Sequence, residues 1–183
     1  DSLAQLGVAV IDLYQHHRHD PSIPYADQMR AMDALKQAGL IRLIGLSNVN
    51  ADELAVALDI LGGPSDGGIV SVQNEYSPRY REDADVLDRC TELGIAFLPW
   101  SPLGGANQAR EIGSHYAAFV EVGDEVGATP QETVLAWLLA LLAGLGWAAS
   151  GNAEILAMLN YESKSADALK AFKSPVPGST RTM

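Results

Sequence analysis

The sequence predicts an α/β fold with parallel strands, and three observations point there. Short apolar runs rich in β-branched residues alternate with longer stretches whose apolar residues recur at helical spacing. Glycines and cap residues mark most changes of pattern. The polar residues that close successive runs are evenly spaced: Ser47 follows His17 by 30 residues, Gln73 follows Ser47 by 26, and Trp100 follows Gln73 by 27. Intervals of that size leave room for the helical crossover that parallel strands require.

Taken in order, residues 8–15 read as a buried strand. Residues 25–39 carry Met29, Met32 and Leu35 on one helical face and stop at Gly39. A second strand follows at 40–47. Asn50, with Glu53 three residues on, forms a cap signature for a helix that ends in glycines at 62–63. Residues 68–76 read as a third strand, 81–94 as a helix ended by Gly94, and 95–101 as a fourth strand. Beyond Trp100 the pattern changes. Residues 101–113 read as a polar, glycine-containing loop, and two helices follow at 114–127 and 129–142. The second of these has Thr129 as its cap, Pro130 in the first turn and Glu132 placed to reach back. Residues 143–173 are expected to add helix without chemistry, and 174–183 a short proline-broken strand with a hydroxyl-rich basic turn.

Composition bounds the partners. The chain has 183 residues, 48% of them hydrophobic, enough for one compact core. The net charge of -11 argues against nucleic acid or an anionic membrane surface as a partner. No apolar run suffices for a membrane span, since the stretch from Val134 is interrupted by Gly144 and Gly146. The N-terminus lacks the basic and apolar segments of a signal peptide, and without an initiator Met it is expected to begin partway into a longer protein. A single cysteine, Cys90, excludes an internal disulfide, fits a reducing cytoplasm and reads as a buried small residue.

In parallel α/β folds the loops after the carboxyl ends of strands form the ligand face. His17, Ser47, Gln73 and Trp100 are therefore expected to converge, whether the sheet is open and doubly wound or part of a barrel. The strings IDLYQHH, IGLSN, VSVQNEYS, LPWSPLGG and VPGSTR occur in that order. Together they resemble the aldo-keto reductases, (β/α)8 barrels that reduce aldehydes and ketones with NADPH. The resemblance implies a partial (β/α)8 TIM barrel, roughly strands 4 to 8 with their helices. It covers residues 1–142 as barrel, leaves 143–173 as an atypical insert, and resumes at 174–183 as a remnant of the last strand.

By resemblance, His17 is the active-site histidine that orients and polarises the substrate carbonyl. Ser47, Asn48 and Gln73 hold the nicotinamide carboxamide, and Trp100, usually a tyrosine in the family, stacks on the ring. Ser101, Leu103 and Gly104 run beside the pyrophosphate. Ser179, Thr180 and Arg181 match the turn for the adenosine 2′-phosphate, which favours NADP over NAD. These roles agree with the chemistry: amides offer donor and acceptor together, a cationic ring suits an aromatic face, and phosphate suits hydroxyls and a guanidinium.

The departures carry expectations too. The family's catalytic Asp, Tyr and Lys come from strands that would precede Asp1, and Asp12 and Tyr14 do not replace them. The tyrosine is the proton donor, so this chain alone is expected to be weak or inactive, by about 10²–10⁴ in rate. A partial barrel exposes strand edges, through which the chain is expected to self-associate. Two other readings stand beside the reductase. One is a non-catalytic half-barrel that binds nucleotide or a partner. The other is a metal-dependent hydrolase built on the His17-x-His19 pair, against which the shortage of further ligands counts, so no metal is expected. His16 and His19 read as solvated loop residues, and His115 as part of a helix start.

Overall fold

A computed structural model describes residues 2–144. The element order is α1 (Ser2–Leu6), β1 (Ile11–His16), α2 (Tyr25–Gln37), β2 (Ile41–Ser47), α3 (Ala51–Leu61), a 3₁₀ turn (Pro64–Asp66), β3 (Ile69–Gln73), α4 (Ala84–Leu93), β4 (Ala96–Phe97), α5 (Ala106–His115), α6 (Ala117–Val126) and α7 (Pro130–Gly144). Ser179, Thr180 and Arg181, the strand expected at 174–183 and nearly all of the segment expected at 143–173 lie outside the described residues. The chain divides into two compact units. The first comprises residues up to Glu75 together with Glu82–Trp100; the second comprises Tyr76–Arg81 and residues from Ser101 onward.

The first unit is a sheet of four parallel strands among the described residues, in the order β1-β2-β3-β4. A doubly wound sheet reverses its strand order partway; this one advances one strand at a time. That choice closes the alternative the sequence left open and gives the winding of a (β/α)8 barrel segment. Helices α2, α3 and α4 each pack an apolar face onto the strands. Met29 and Met32 of α2, Leu54 and Ala57 of α3, and Val86, Leu87 and Cys90 of α4 are buried with Ile44, Leu46, Ile69 and Val72 of the sheet. The α3 cap forms as the residues dictate: the Asn50 side chain accepts from the Glu53 N–H, and the Glu53 carboxylate accepts from the Asn50 N–H.

The register contains one irregularity with consequences. Ile44 pairs with Ile69, but the next residue, Gly45, pairs with Ser71, so Val70 is an extra residue in β3. From there Leu46 faces Val72 and Ser47 faces Gln73. Because side chains alternate along a strand, a slip of one residue decides which of them share a face. Gln15 pairs with Gly45 on the other side. A β-carbon at Gly45 would lie 2.5 Å from Ser71 Oγ and 2.9 Å from Gln15 Cγ, so the glycine makes room for both neighbours.

Three expectations change. The first strand begins at Ile11 rather than at residue 8 and is not buried: Leu13 is 37% exposed. β1 pairs only with β2 among the described residues, and its apolar composition does not compensate for the missing neighbour. Residues 106–113, expected as loop, belong to α5, because Ala106, Ala109 and Ile112 fall on one helical face and Ile112 is buried. His115 therefore ends α5 instead of opening a helix. The polar and glycine content of the segment outweighed this spacing in the sequence reading.

The second unit is helical among its described residues. Trp137 of α7 centres it: Tyr76 stacks at 6.3 Å between centroids, Phe119 of α6 meets it edge-on at 5.8 Å, and the Arg81 guanidinium lies 4.9 Å from its ring centroid. Gln131 Nε2 donates to the Ala109 carbonyl, tying α7 to α5. Thr129 and Glu132 cap α7 reciprocally, with Thr129 N–H and Oγ both donating to the Glu132 carboxylate. Among the described residues no helix is long and apolar enough to cross a membrane.

Two outcomes are expected. Gly45→Ala should lower the unfolding free energy by about 1–3 kcal/mol, read from urea denaturation, because the methyl enters occupied space. Burial pushes the Cys90 thiol up to about 12. A thiol reagent at pH 8 should therefore label Cys90 only after unfolding; labelling of the native chain within minutes would contradict its placement.

Candidate functional site

The carboxyl ends of the strands enclose a cleft of about 550 Å³ lined by His17, Arg18, Ser47, Asn48, Gln73 and Trp100, all in the first unit. The sheet register explains why they meet. Ser47 and Gln73 are direct partners, His17 lies two residues beyond Gln15 in the same register, and Glu75 bridges to Trp100. Thus the strand-end residues picked from the sequence come together.

The Gln73 carbonyl is a shared acceptor: Ser47 Oγ donates to it at 2.7 Å and the Asn48 N–H at 3.0 Å. Asn48 adopts φ 55°, the left-handed region that asparagine tolerates better than most residues. From that turn its amide links three strand ends. Nδ2 donates to the His17 carbonyl at 2.9 Å and to Ser47 Oγ at 3.1 Å, and Oδ1 accepts from the Trp100 indole N–H at 3.0 Å. Both donors of this amide are in use, and its oxygen keeps one lone pair. Gln73 differs, since its side-chain amide has no hydrogen-bond partner among the described residues. Asn74, next to it, is structural. Buried, it accepts from the Val49 N–H at 3.1 Å and donates to the Val49 carbonyl at 2.6 Å and to Asp83 at 3.1 Å. Partial burial pushes the Asp83 carboxyl up, and the bond from Asn74 opposes the shift.

The loop that carries His17 is pinned from beneath. Gln28 of α2 accepts from the Asp20 N–H and donates to the carbonyls of Asp20 and Ile23. His16 Nε2 pairs with Gln28 Oε1 at 2.9 Å, and His19 Nδ1 with Glu53 Oε1 at 2.7 Å. Both rings meet the edge or face of buried Tyr25. The expectation that His16 and His19 are solvated loop residues is therefore corrected: they tie the loop to α2 and α3. Asp20 closes a turn by accepting from Ser22 N–H and Oγ, and those bonds hold its carboxyl below the usual range. His17 alone of the three is left exposed to the cleft. Among the described residues no three of His, Cys, Asp or Glu gather as a metal would require.

Ser101, Leu103 and Gly104 fall in the second unit, whereas the cleft is lined by first-unit residues. There Ser101 adopts φ 50° and its carbonyl accepts from the Gly104 N–H, closing a tight turn. Arg18 was missed in the sequence reading. The available signal was its place directly after His17 at a strand end. Asn48→Ala should cost about 1–3 kcal/mol in urea unfolding, through lost bonds and a β-carbon at positive φ. Asn48→Gly, which relieves only the second term, should cost less, and both should alter the near-ultraviolet dichroism of Trp100. Unchanged dichroism in both variants would contradict the indole's link to this amide.

The chain shares this architecture with known proteins. It is 37% identical over 138 residues to an uncharacterized oxidoreductase of Schizosaccharomyces pombe, an alignment that covers 75% of this chain and 42% of the yeast protein. A thermostable aldo-keto reductase solved with the inhibitor epalrestat superposes with a TM-score of 0.64 at 25% identity, covering 93% of this chain and 63% of that one. A Bombyx mori aldo-keto reductase solved in complex with NADP gives 0.61 at 26% identity, covering 76% and 48%. The chain spans less than half the length of the curated relatives it matches first. The model of the Aldo/keto reductase family matches residues 1–181, and the chain belongs to that family.

Proposed function

We propose that this chain provides the nicotinamide side of an NADP(H)-dependent oxidoreductase site acting on an aldehyde or ketone. The observation that carries the reading is the convergence of His17, Ser47, Asn48, Gln73 and Trp100 on one cleft large enough for a nicotinamide and a small carbonyl compound. The residues present fit the cofactor. Gln73 offers an amide without a partner among the described residues, able both to donate to and to accept from a carboxamide, and Asn48 Oδ1 can accept once more. Trp100, 37% exposed, offers a ring for stacking. When bound, NADPH supplies the hydride. His17 donates a hydrogen bond to the carbonyl oxygen as negative charge grows there, and its mobility is limited by the pinned loop on which it sits.

The proton donor of the family, a tyrosine, has no counterpart among the residues assigned here. Catalysis at full rate then depends on a proton donor from outside these residues. The preference for NADP rests on Ser179, Thr180 and Arg181, where two hydroxyls and a guanidinium suit a phosphate. The backbone run of Ser101, Leu103 and Gly104 would accompany the pyrophosphate. The edge of β1, unpaired among the described residues, favours self-association, and the lone cysteine a reducing, cytoplasmic setting.

Titration with NADPH should quench the emission of Trp100 saturably, and Gln73→Ala should weaken binding by about 5–30-fold, the worth of one or two hydrogen bonds. NADPH should bind about 10-fold or more tightly than NADH, with Arg181→Ala removing the difference. No binding at millimolar NADPH would overturn the reading in favour of a half-barrel without nucleotide chemistry. Steady turnover of a test aldehyde by this chain alone would contradict the need for the tyrosine.

A further inference from the structure

The cleft holds one residue that the cofactor and carbonyl roles leave unused. Arg18 lines it beside His17 and is exposed. Elsewhere in the first unit, guanidinium groups are matched by carboxylates: Arg30 with Asp27 and Arg42 with Asp12, each at 2.6 Å, and Arg89 with Glu92 at 2.8 Å. Arg18 has no carboxylate partner among the described residues, although acidic side chains outnumber basic ones 23 to 12 in the chain. None of the residues lining the cleft is acidic. In an acidic protein, a guanidinium that lines the cleft without a carboxylate partner among the described residues presents a fixed positive charge to whatever enters.

The imidazole of His17, its chain neighbour, lines the same cleft. Ser47, Asn48 and Gln73 lie on the following two strands, so Arg18 stands on the histidine side of the cleft. A guanidinium there can take a carboxylate through two parallel hydrogen bonds and thereby fix the distance from that anion to a carbonyl held by the imidazole. We propose that Arg18 is a specificity residue that selects carbonyl substrates bearing an anionic group, a carboxylate in the first instance. The assignment rests on the reductase reading above and adds the substrate class to it.

The test uses the whole chain and two probes of equal shape, 4-carboxybenzaldehyde and 4-formylbenzamide, with binding followed by calorimetry in the presence and absence of NADPH. The carboxylate should bind about 10-fold more tightly than the amide, and the ratio should fall towards one in Arg18→Gln. Arg18→Lys should restore part of the ratio, since it keeps the charge and loses the fork. Added salt should compress the ratio in the parent chain and leave Arg18→Gln unaffected. NADPH affinity, measured on the same samples, should be the same in parent and variants. Equal binding of the two probes by the parent chain, or a ratio that survives Arg18→Gln, would overturn the assignment. So would a loss of NADPH affinity in Arg18→Gln, which would place the guanidinium on a cofactor phosphate. Absence of NADPH binding together with an Arg18-dependent carboxylate preference would overturn the cofactor reading and retain the anion site.

Discussion

The cleft depends on a slip of one residue between two strands. Had β2 and β3 kept the register set by Ile44 and Ile69, Ser47 would stand opposite Val72, and Gln73 would point to the other face of the sheet. The extra residue at Val70 shifts the pairing so that Gln73 meets Ser47. Gly45 accommodates the shift, because Ser71 and Gln15 occupy the space a side chain would need. A backbone irregularity low in the strand is thereby converted into the placement of an amide at its end.

Above that register, Asn48 joins the ends of β1, β2 and the segment reaching Trp100. Its bonds divide labour between two amides that line the cleft. Asn48 holds the His17 backbone and the Trp100 indole, and the Gln73 side chain has no partner among the described residues. The same economy applies to the loop after β1. Three histidines follow one another closely, but His16 and His19 are taken by Gln28 and Glu53, and only His17 faces the cleft. In a chain of net charge -11, the residues lining the cleft include an arginine and no carboxylate.

Much of this was legible in the sequence because it rests on local rules. Asn50 with Glu53 and Thr129 with Glu132 announce helix starts through chemistry confined to four residues. The even spacing of His17, Ser47, Gln73 and Trp100 announces parallel strands because a crossover has a minimum length. The features that escaped depend on contacts distant in sequence. The slip at Val70 follows from pairing between strands and leaves no local mark. Gln28 and Glu53 look like helix surface until the loop from β1 lies against them. The exposure of β1 is set by the absence of a second neighbouring strand among the described residues, not by its apolar composition. Arg18 has only its place after His17 to mark it in the sequence, since a charged loop residue is ordinarily solvated; the lining of the cleft and the lack of a carboxylate partner among the described residues distinguish it.

The central claim is that a cleft formed by this register receives a nicotinamide. A crystal structure of the chain with NADPH tests it most directly. The account requires the carboxamide against the Gln73 side chain, the ring over the Trp100 indole and the His17 imidazole facing the reactive carbon. Density for the nicotinamide elsewhere, with the amide of Gln73 turned to solvent, would contradict it.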